Sequence, residues 1–229
     1  MLFRSDHRWG RLPYAARELE SAASALPGRA EIHTGPDDRK HYLASSAPIL
    51  HLATHAVADT VDANRSRILF SGEYLFRGEV AALPLAQTDL VTLSACDTEA
   101  GPLSRGEGVQ SFSRALLAAG AHATVTTLWR VEDRATAEFM QIFYQHLANG
   151  EPKAEALRAT KLTFLRQGGA HSLPLYWAAF VLNGDGQEPV SPVLSWWKLA
   201  TAMVSLSVMA GIALGRRHRS RDRKGAVFR

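Results

Sequence analysis

Short apolar runs alternating with longer amphipathic stretches constrain this chain most. Residues 49–54 (ILHLAT), 67–71, 90–95 (LVTLSA), 122–129 (HATVTTLW) and 176–182 (YWAAFVL) are brief and rich in Leu, Val, Ile, Thr or aromatic residues. Runs of this length and composition predict strands buried on both faces. Residues 30–33 predict one more short strand. Between them lie helical patterns. Residues 14–26 end at Pro27-Gly28, and 36–45 start on Pro36. Residues 107–119 put Phe112, Leu116 and Leu117 on one face, 132–148 stop at Gly150, and 153–167 stop at Gly168-Gly169. Proline at a helix start and glycine just past its end mark such boundaries. Strands alternating with helices predict an α/β domain with a mainly parallel sheet. The sequence holds no internal repeat and no low-complexity stretch.

Charge and hydropathy divide the chain of 229 residues into unequal parts. Residues 216–229 hold seven bases and one acid, net +6, and the residues before them hold 19 bases and 21 acids, net −2. The basic character therefore belongs to the tail, and a nucleic-acid-binding domain is not expected. Ahead of the tail, residues 196–214 (WWKLATAMVSLSVMAGIAL) carry one charge, Lys198. As a helix this run spans about 28 Å, close to the hydrocarbon thickness of a bilayer. Trp196 and Trp197 suit the membrane interface, and Lys198 can snorkel beside them. Ser and Thr do not gather on one face, as they would in a buried amphipathic helix. The expected organisation is a domain over 1–186, a linker over 187–195 containing Pro189 and Pro192, a transmembrane helix over 196–214 and a basic tail over 215–229. Gly211 and Gly215 are small-residue neighbours too near the span's end to argue dimerisation. The first ten residues lack a secretory apolar core, which favours a cytoplasmic domain on a C-terminal anchor. The basic tail pulls the other way under the positive-inside rule.

Reactive residues belong at the carboxyl ends of strands, where open α/β sheets form their sites. His55 ends the run 49–54, and Cys96 ends the run 90–95. A neutral imidazole raises the thiolate fraction of a neighbouring cysteine, which makes the pair a candidate nucleophile and base. A small buried thiol beside an ordinary histidine fits the same residues. Cys96 is the only cysteine, so no intrachain disulfide or multi-cysteine metal site forms.

The wording around the pair is more specific. HLATHA, LVTLSACDTEAGPLSRGEGVQSFSRALLAAGAHATVTTLWRVEDRATAEFMQIFYQHLANG and YWAAFVLNGDG resemble the CHAT domain, a bacterial branch of the caspase-like cysteine peptidases. The resemblance runs from about Pro13 to Gly186. It implies a caspase-like three-layer α/β sandwich, with His55 matching the family's catalytic histidine and Cys96 its nucleophile. The implied reaction is hydrolysis of a peptide bond through a thioester, without metal or other cofactor. Backbone N–H groups of Ala56 and Cys96 would form the oxyanion hole. The family usually has Gly after this histidine, and alanine keeps the N–H donor but resists positive φ. The implied partners are a protein substrate and a sensor or repeat-containing protein, since family members often carry helical repeats before the peptidase domain. The alternative is a caspase-like adaptor that binds proteins without cleaving them.

Other residues have simpler expectations. His51 and His55 are four apart, but Leu52 stands where a metalloprotease helix has Glu and the segment reads as strand. His51 is expected to be packed or hydrogen-bonded, and Asp97 to be a solvated loop acid. Gly106-Glu107-Gly108 is expected to let a helix start near the Cys96 loop, with Glu107 in its first turn. Trp129, Glu132 and Asp133 follow a strand end. They are candidates for a substrate-pocket wall, with Asp133 reading a basic side chain. An N-cap role for Asp133 is the competing expectation. His122, His146 and His171 are expected to be structural or surface residues.

Overall fold

Strands apolar on both sides need cover on both faces, and the chain supplies it with two sets of helices. The computed structural model describes residues 2–4, 12–26, 30–59, 61–94, 103–104, 108–109 and 111–191. The expectations for Cys96, Asp97, Gly106, Glu107, the linker beyond 191, the 196–214 span and the basic tail lie outside the described residues. In chain order come β1 (Leu2–Arg4), α1 (Ala15–Ala25), β2 (Ile32–Thr34), α2 (Asp38–Leu43), β3 (Ile49–Ala53) and β4 (Ala56–Val57). Next are β5 (Arg67–Leu69), β6 (Tyr74–Phe76), α3 (Arg77–Val80), β7 (Leu90–Leu93), β8 (Leu103–Ser104), β9 (Gly108–Val109) and α4 (Phe112–Ala118). The remainder are β10 (Ala123–Thr127), α5 (Asp133–Ala148), α6 (Lys153–Gln167), α7 (Pro174–Trp177) and β11 (Phe180–Gly184). Among the described residues no helix is long and apolar enough to cross a membrane.

Among the described residues the main sheet has six strands in the order β11-β10-β7-β3-β1-β2. All neighbours are parallel except β10 and β11, which run antiparallel. Side chains of β3 and β7 alternate between two cores. On one face Ile49, Ala53, Leu90, Val125 and Phe180 pack with α1, α5 and α6. On the other, Leu50, Leu52, Val91 and Leu93 pack with Tyr42 of α2, Val80 of α3 and Phe112 and Leu116 of α4. Helix α5 shows why its sequence is helical: Thr136, Phe139, Met140, Phe143, Tyr144 and Leu147 form a buried stripe at helical spacing. Phe139 stacks on Phe180 at 4.0 Å between ring centroids.

The structure departs from expectation at several elements. The helix expected from residue 107 begins only at Phe112, where the Ser111 hydroxyl accepts from the Arg114 N–H at 3.4 Å. Gly108 and Val109 pair as β9 with β8 instead, in keeping with glycine's poor helix propensity. The run 176–182 is not one strand: Pro174 starts the short α7, and β11 follows. At the end of β11, Gly184 has φ +88°, and a Cβ there would collide with the His122 carbonyl oxygen. Strands β1, β4 and β6 carried no periodic signal, and β4-β5-β6 form a separate antiparallel sheet. Residues past 186 still pack on the domain: Val190 joins the core, and the Ser191 N–H donates to Asp89 at 2.7 Å.

Candidate active site

Strand β1 pairs with β2 on one side and β3 on the other, and the helices that follow β1 and β2 cover opposite faces. The carboxyl ends of β1 and β3 therefore flank a topological switch point, where α/β sheets open a crevice. A cavity of about 260 Å³ lies at the carboxyl end of β3, beside the ends of β7 and β10. Leu12, Ala15 and Glu18 line it from α1 and its approach, Thr54 and His55 from the end of β3, and Ser94 from the end of β7. Thr127, Arg130 and Val131 follow β10, and Glu132, Asp133 and Thr136 contribute the start of α5.

His55 is half-buried, two residues past β3, and its carbonyl accepts from the Leu69 N–H at 2.9 Å. That bond fixes the meaning of the Ala56–Ile68 register. A bond joining the residue before Ala56 to the residue after Ile68 makes the two a non-hydrogen-bonded antiparallel pair. The Ala56 N–H is consequently directed away from β5, on the outer side of the edge strand β4. Alanine occupies extended strand backbone without strain, so glycine is not needed at this position. Ser94 is the last described residue of the β7 end, and its N–H donates to the Leu52 carbonyl at 3.1 Å.

Asp133 lines the cavity and does not cap α5. It is the first residue of that helix, Glu132 stands at the N-cap, and no side chain caps. Its Oδ2 instead accepts from the Tyr14 N–H at 2.8 Å, fastening the start of α1 to the start of α5. An exposed helix end can leave its N–H groups to water, whereas the Tyr14 amide has this carboxylate as partner. Burial pushes the Asp133 carboxyl above the usual carboxylate range. The Tyr14 amide opposes the shift, the neighbouring charges of Glu18 and Glu132 add to it, and His55 opposes it. Trp129 is not among the cavity-lining residues; its indole N–H donates to the Leu175 carbonyl of α7 at 3.1 Å.

The described part of the fold is a mixed α/β sandwich, and the CHAT domain is matched over residues 3–185. The chain belongs to the CHAT domain family. Solved structures similar in fold to this CHAT domain include the following. One, described as a protease, has a TM-score of 0.60 at 13% identity, over 83% of this chain and 48% of that one. The Arg-specific cysteine proteinase gingipain R has 0.54 at 10% identity, over 83% and 46%. The complex of Porphyromonas gingivalis RgpB pro- and mature domains has 0.53 at 10% identity, over 83% and 48%. At these identities the likeness is one of fold.

Relatives by sequence include tetratricopeptide repeat protein 28 of Homo sapiens, 37% identical over 86 residues, which is 38% of this chain and 3% of that protein. The Mus musculus protein is 35% identical over 103 residues, 45% of this chain and 4% of its own length. The chain thus spans only a few per cent of these repeat-containing relatives, and similarity to this CHAT domain is not confined to bacterial proteins.

One part of the CHAT domain site had no sequence signal. His51 is fully buried, as a packed histidine should be, but it organises a polar cluster beneath the cavity. Its Nε2 lies 2.7 Å from Glu18 Oε1 and 3.3 Å from Ser94 Oγ, and its Nδ1 lies 2.9 Å from the Tyr144 hydroxyl. The Tyr144 hydroxyl donates to Thr92 Oγ1 at 3.0 Å. Burial pushes the Tyr144 phenol upward, so it stays protonated. Glu18 is 33 residues from His51 and Tyr144 is 93, so no local pattern announces the cluster. Three further histidines pair with carboxylates: His122 with Asp89 at 3.3 Å, His146 with Glu151 at 2.7 Å, and His171 with Glu138 at 3.7 Å.

Proposed function

We propose that this CHAT domain is a cysteine endopeptidase that cleaves protein substrates through a Cys96–His55 dyad. The observation that carries the reading is that His55 and Ser94, at the ends of adjacent parallel strands, open on one cavity. Cys96 follows Ser94 by two residues, and two trans peptide units hold their Cα atoms within about 7.6 Å. In the proposed reaction His55 takes the Sγ proton and the thiolate attacks the scissile carbonyl carbon. The C–S bond forms while the carbonyl π electrons move onto oxygen, which accepts from the Ala56 and Cys96 N–H groups. Histidinium gives its proton to the leaving amine as the C–N bond breaks, leaving a thioester. Water, deprotonated by His55, attacks the thioester, and the C–S bond breaks to free the acid and the thiol.

The lining supports a basic side chain at the cleavage site. Glu132 and Asp133 face the cavity against one base, Arg130, while the Glu18 carboxylate is engaged by His51. Asp133 is the residue proposed to meet the substrate cation, within reach of His55's field. The proposal includes a single-pass anchor over 196–214 with the peptidase on the cytoplasmic side. A repeat-containing protein as partner is consistent with the tetratricopeptide relatives.

Cys96→Ala and His55→Ala decide the activity. Each is expected to abolish cleavage of a peptide library without unfolding the protein, His55→Ala by about a hundredfold or more. An acyloxymethyl-ketone probe should label Cys96 rapidly near neutral pH. Wild-type proteolysis by Cys96→Ala would end the peptidase reading. Partner binding by a chain whose thiol reacts no faster than a free one would establish the adaptor instead.

A further inference from the structure

The cluster around His51 is costly where it sits. Glu18 and His51 are 2% and 0% exposed, in a face otherwise filled by Ile49, Ala53, Leu90 and Val125. Replacing a buried ionisable pair with well-packed apolar residues is often neutral or stabilising, so such a pair is weak evidence for a stabilising role. What the cluster does is join elements. Glu18 comes from α1, His51 from β3, Thr92 and Ser94 from β7 and its end, and Tyr144 from α5. These are four of the elements whose ends build the cavity, and Glu18 and Ser94 themselves line it.

Ser94 is the informative member. Its hydroxyl donates to the Leu52 carbonyl at 3.3 Å and lies equally far from His51 Nε2, so it has one partner on β3's backbone and one on β3's imidazole. Glu18, closer at 2.7 Å, holds that imidazole from the other element, and Tyr144 holds its Nδ1 side. The ring therefore has little freedom to turn, and the hydroxyl it meets belongs to the residue two before Cys96.

We propose that Glu18 and His51 are positioning residues, holding Ser94 and with it the strand end that carries Cys96. The inference rests on the dyad reading above, and it adds a buried pair that touches no substrate. It assigns the pair to the orientation of the nucleophile, whereas Asp133 and Glu132 serve the substrate side of the same cavity.

The protein has a single cysteine, so iodoacetamide alkylation of the full chain reports one site. The rate is measured across pH about 5 to about 9, where a paired thiol departs from a free one. The double variant Glu18→Met/His51→Leu keeps the site filled with apolar volume and should fold. It is expected to lower the rate near pH 7 by about tenfold or more, the cost of a small misplacement of reacting groups. Ser94→Ala changes no charge, so a fall in that variant alongside the double variant reads position and not field. Ser94→Ala should lower the rate in the same direction, and His51→Gln, which keeps an N–H toward Glu18 and Ser94, should recover most of it. A folded double variant with the wild-type pH profile would overturn the inference. So would an unchanged Ser94→Ala, which decides alone if the double variant does not fold. His55→Ala in the same assay separates the two levels. If it leaves the profile of wild type unaltered, the dyad itself fails; if it alone alters the profile, the dyad stands and the positioning role falls.

Discussion

Asp133 answers to two neighbours, the Tyr14 amide that it accepts from and the cavity that it faces. Burial raises its carboxyl above the ordinary aspartate value of 3.8, so the folded protein holds this proton more tightly than the unfolded chain. The stability Asp133 contributes is then fully present below that value and is lost as pH rises through the raised one. Asparagine keeps an oxygen for the Tyr14 N–H and cannot ionise. Asp133→Asn should therefore match or exceed wild-type stability near neutral pH and lose that advantage below about pH 4. Urea unfolding at the two pH values checks this, and a constant difference between the proteins would contradict it. In a peptide library the same variant should lose preference for Lys and Arg at the cleavage site. Unchanged specificity would leave Asp133 with its fastening role alone.

At the scale of elements, α5 links stability to the site. Its first turn lines the cavity, and its middle buries Phe139 between Phe180 and Phe164, with ring centroids 4.0 and 5.3 Å away. Truncating a fully buried phenylalanine loses its transfer free energy and leaves a cavity. Phe139→Ala should cost about 3–5 kcal/mol in denaturant unfolding. A loss below about 1 kcal/mol would mean that α5 is not anchored by this stack. The same logic explains which elements were readable. The stripe in α5 repeats at helix spacing, and the apolar run from Leu90 forms β7 as far as Leu93. Strands β4 and β6 are short, on a small separate sheet, and their residues become strands only by pairing with β5.

At the scale of the molecule, residues up to Ser191 make one compact unit. Val190 packs in its core and the Ser191 N–H donates to Asp89, so a chain cut after Gly186 should lose stability that a chain cut after Ser191 keeps. A chain ending at Ser191 is expected to fold without detergent and to melt as the intact domain does. The full chain, if residues 196–214 span a bilayer, should sediment with membranes and resist carbonate extraction. Recovery of the full chain in the soluble fraction would end the tether. Protease shaving of intact spheroplasts tests its orientation, since digestion of the domain from outside would exclude a cytoplasmic peptidase.

Hydrophobic period and strand-end chemistry are local, and the sequence alone determined what depends on them: an α/β domain with a mainly parallel sheet, and His55 at the end of a strand. The resemblance around it was enough for the CHAT family. Tertiary structure decided which distant groups meet. It set β11 antiparallel, started α4 at Phe112, and gave Asp133 a partner 119 residues away in Tyr14. It also gathered Glu18, His51, Ser94 and Tyr144 from four elements. A side chain's neighbours along the chain reveal its face and period. Its hydrogen-bond partners across a sheet follow from strand order and helix packing, which no window of sequence contains.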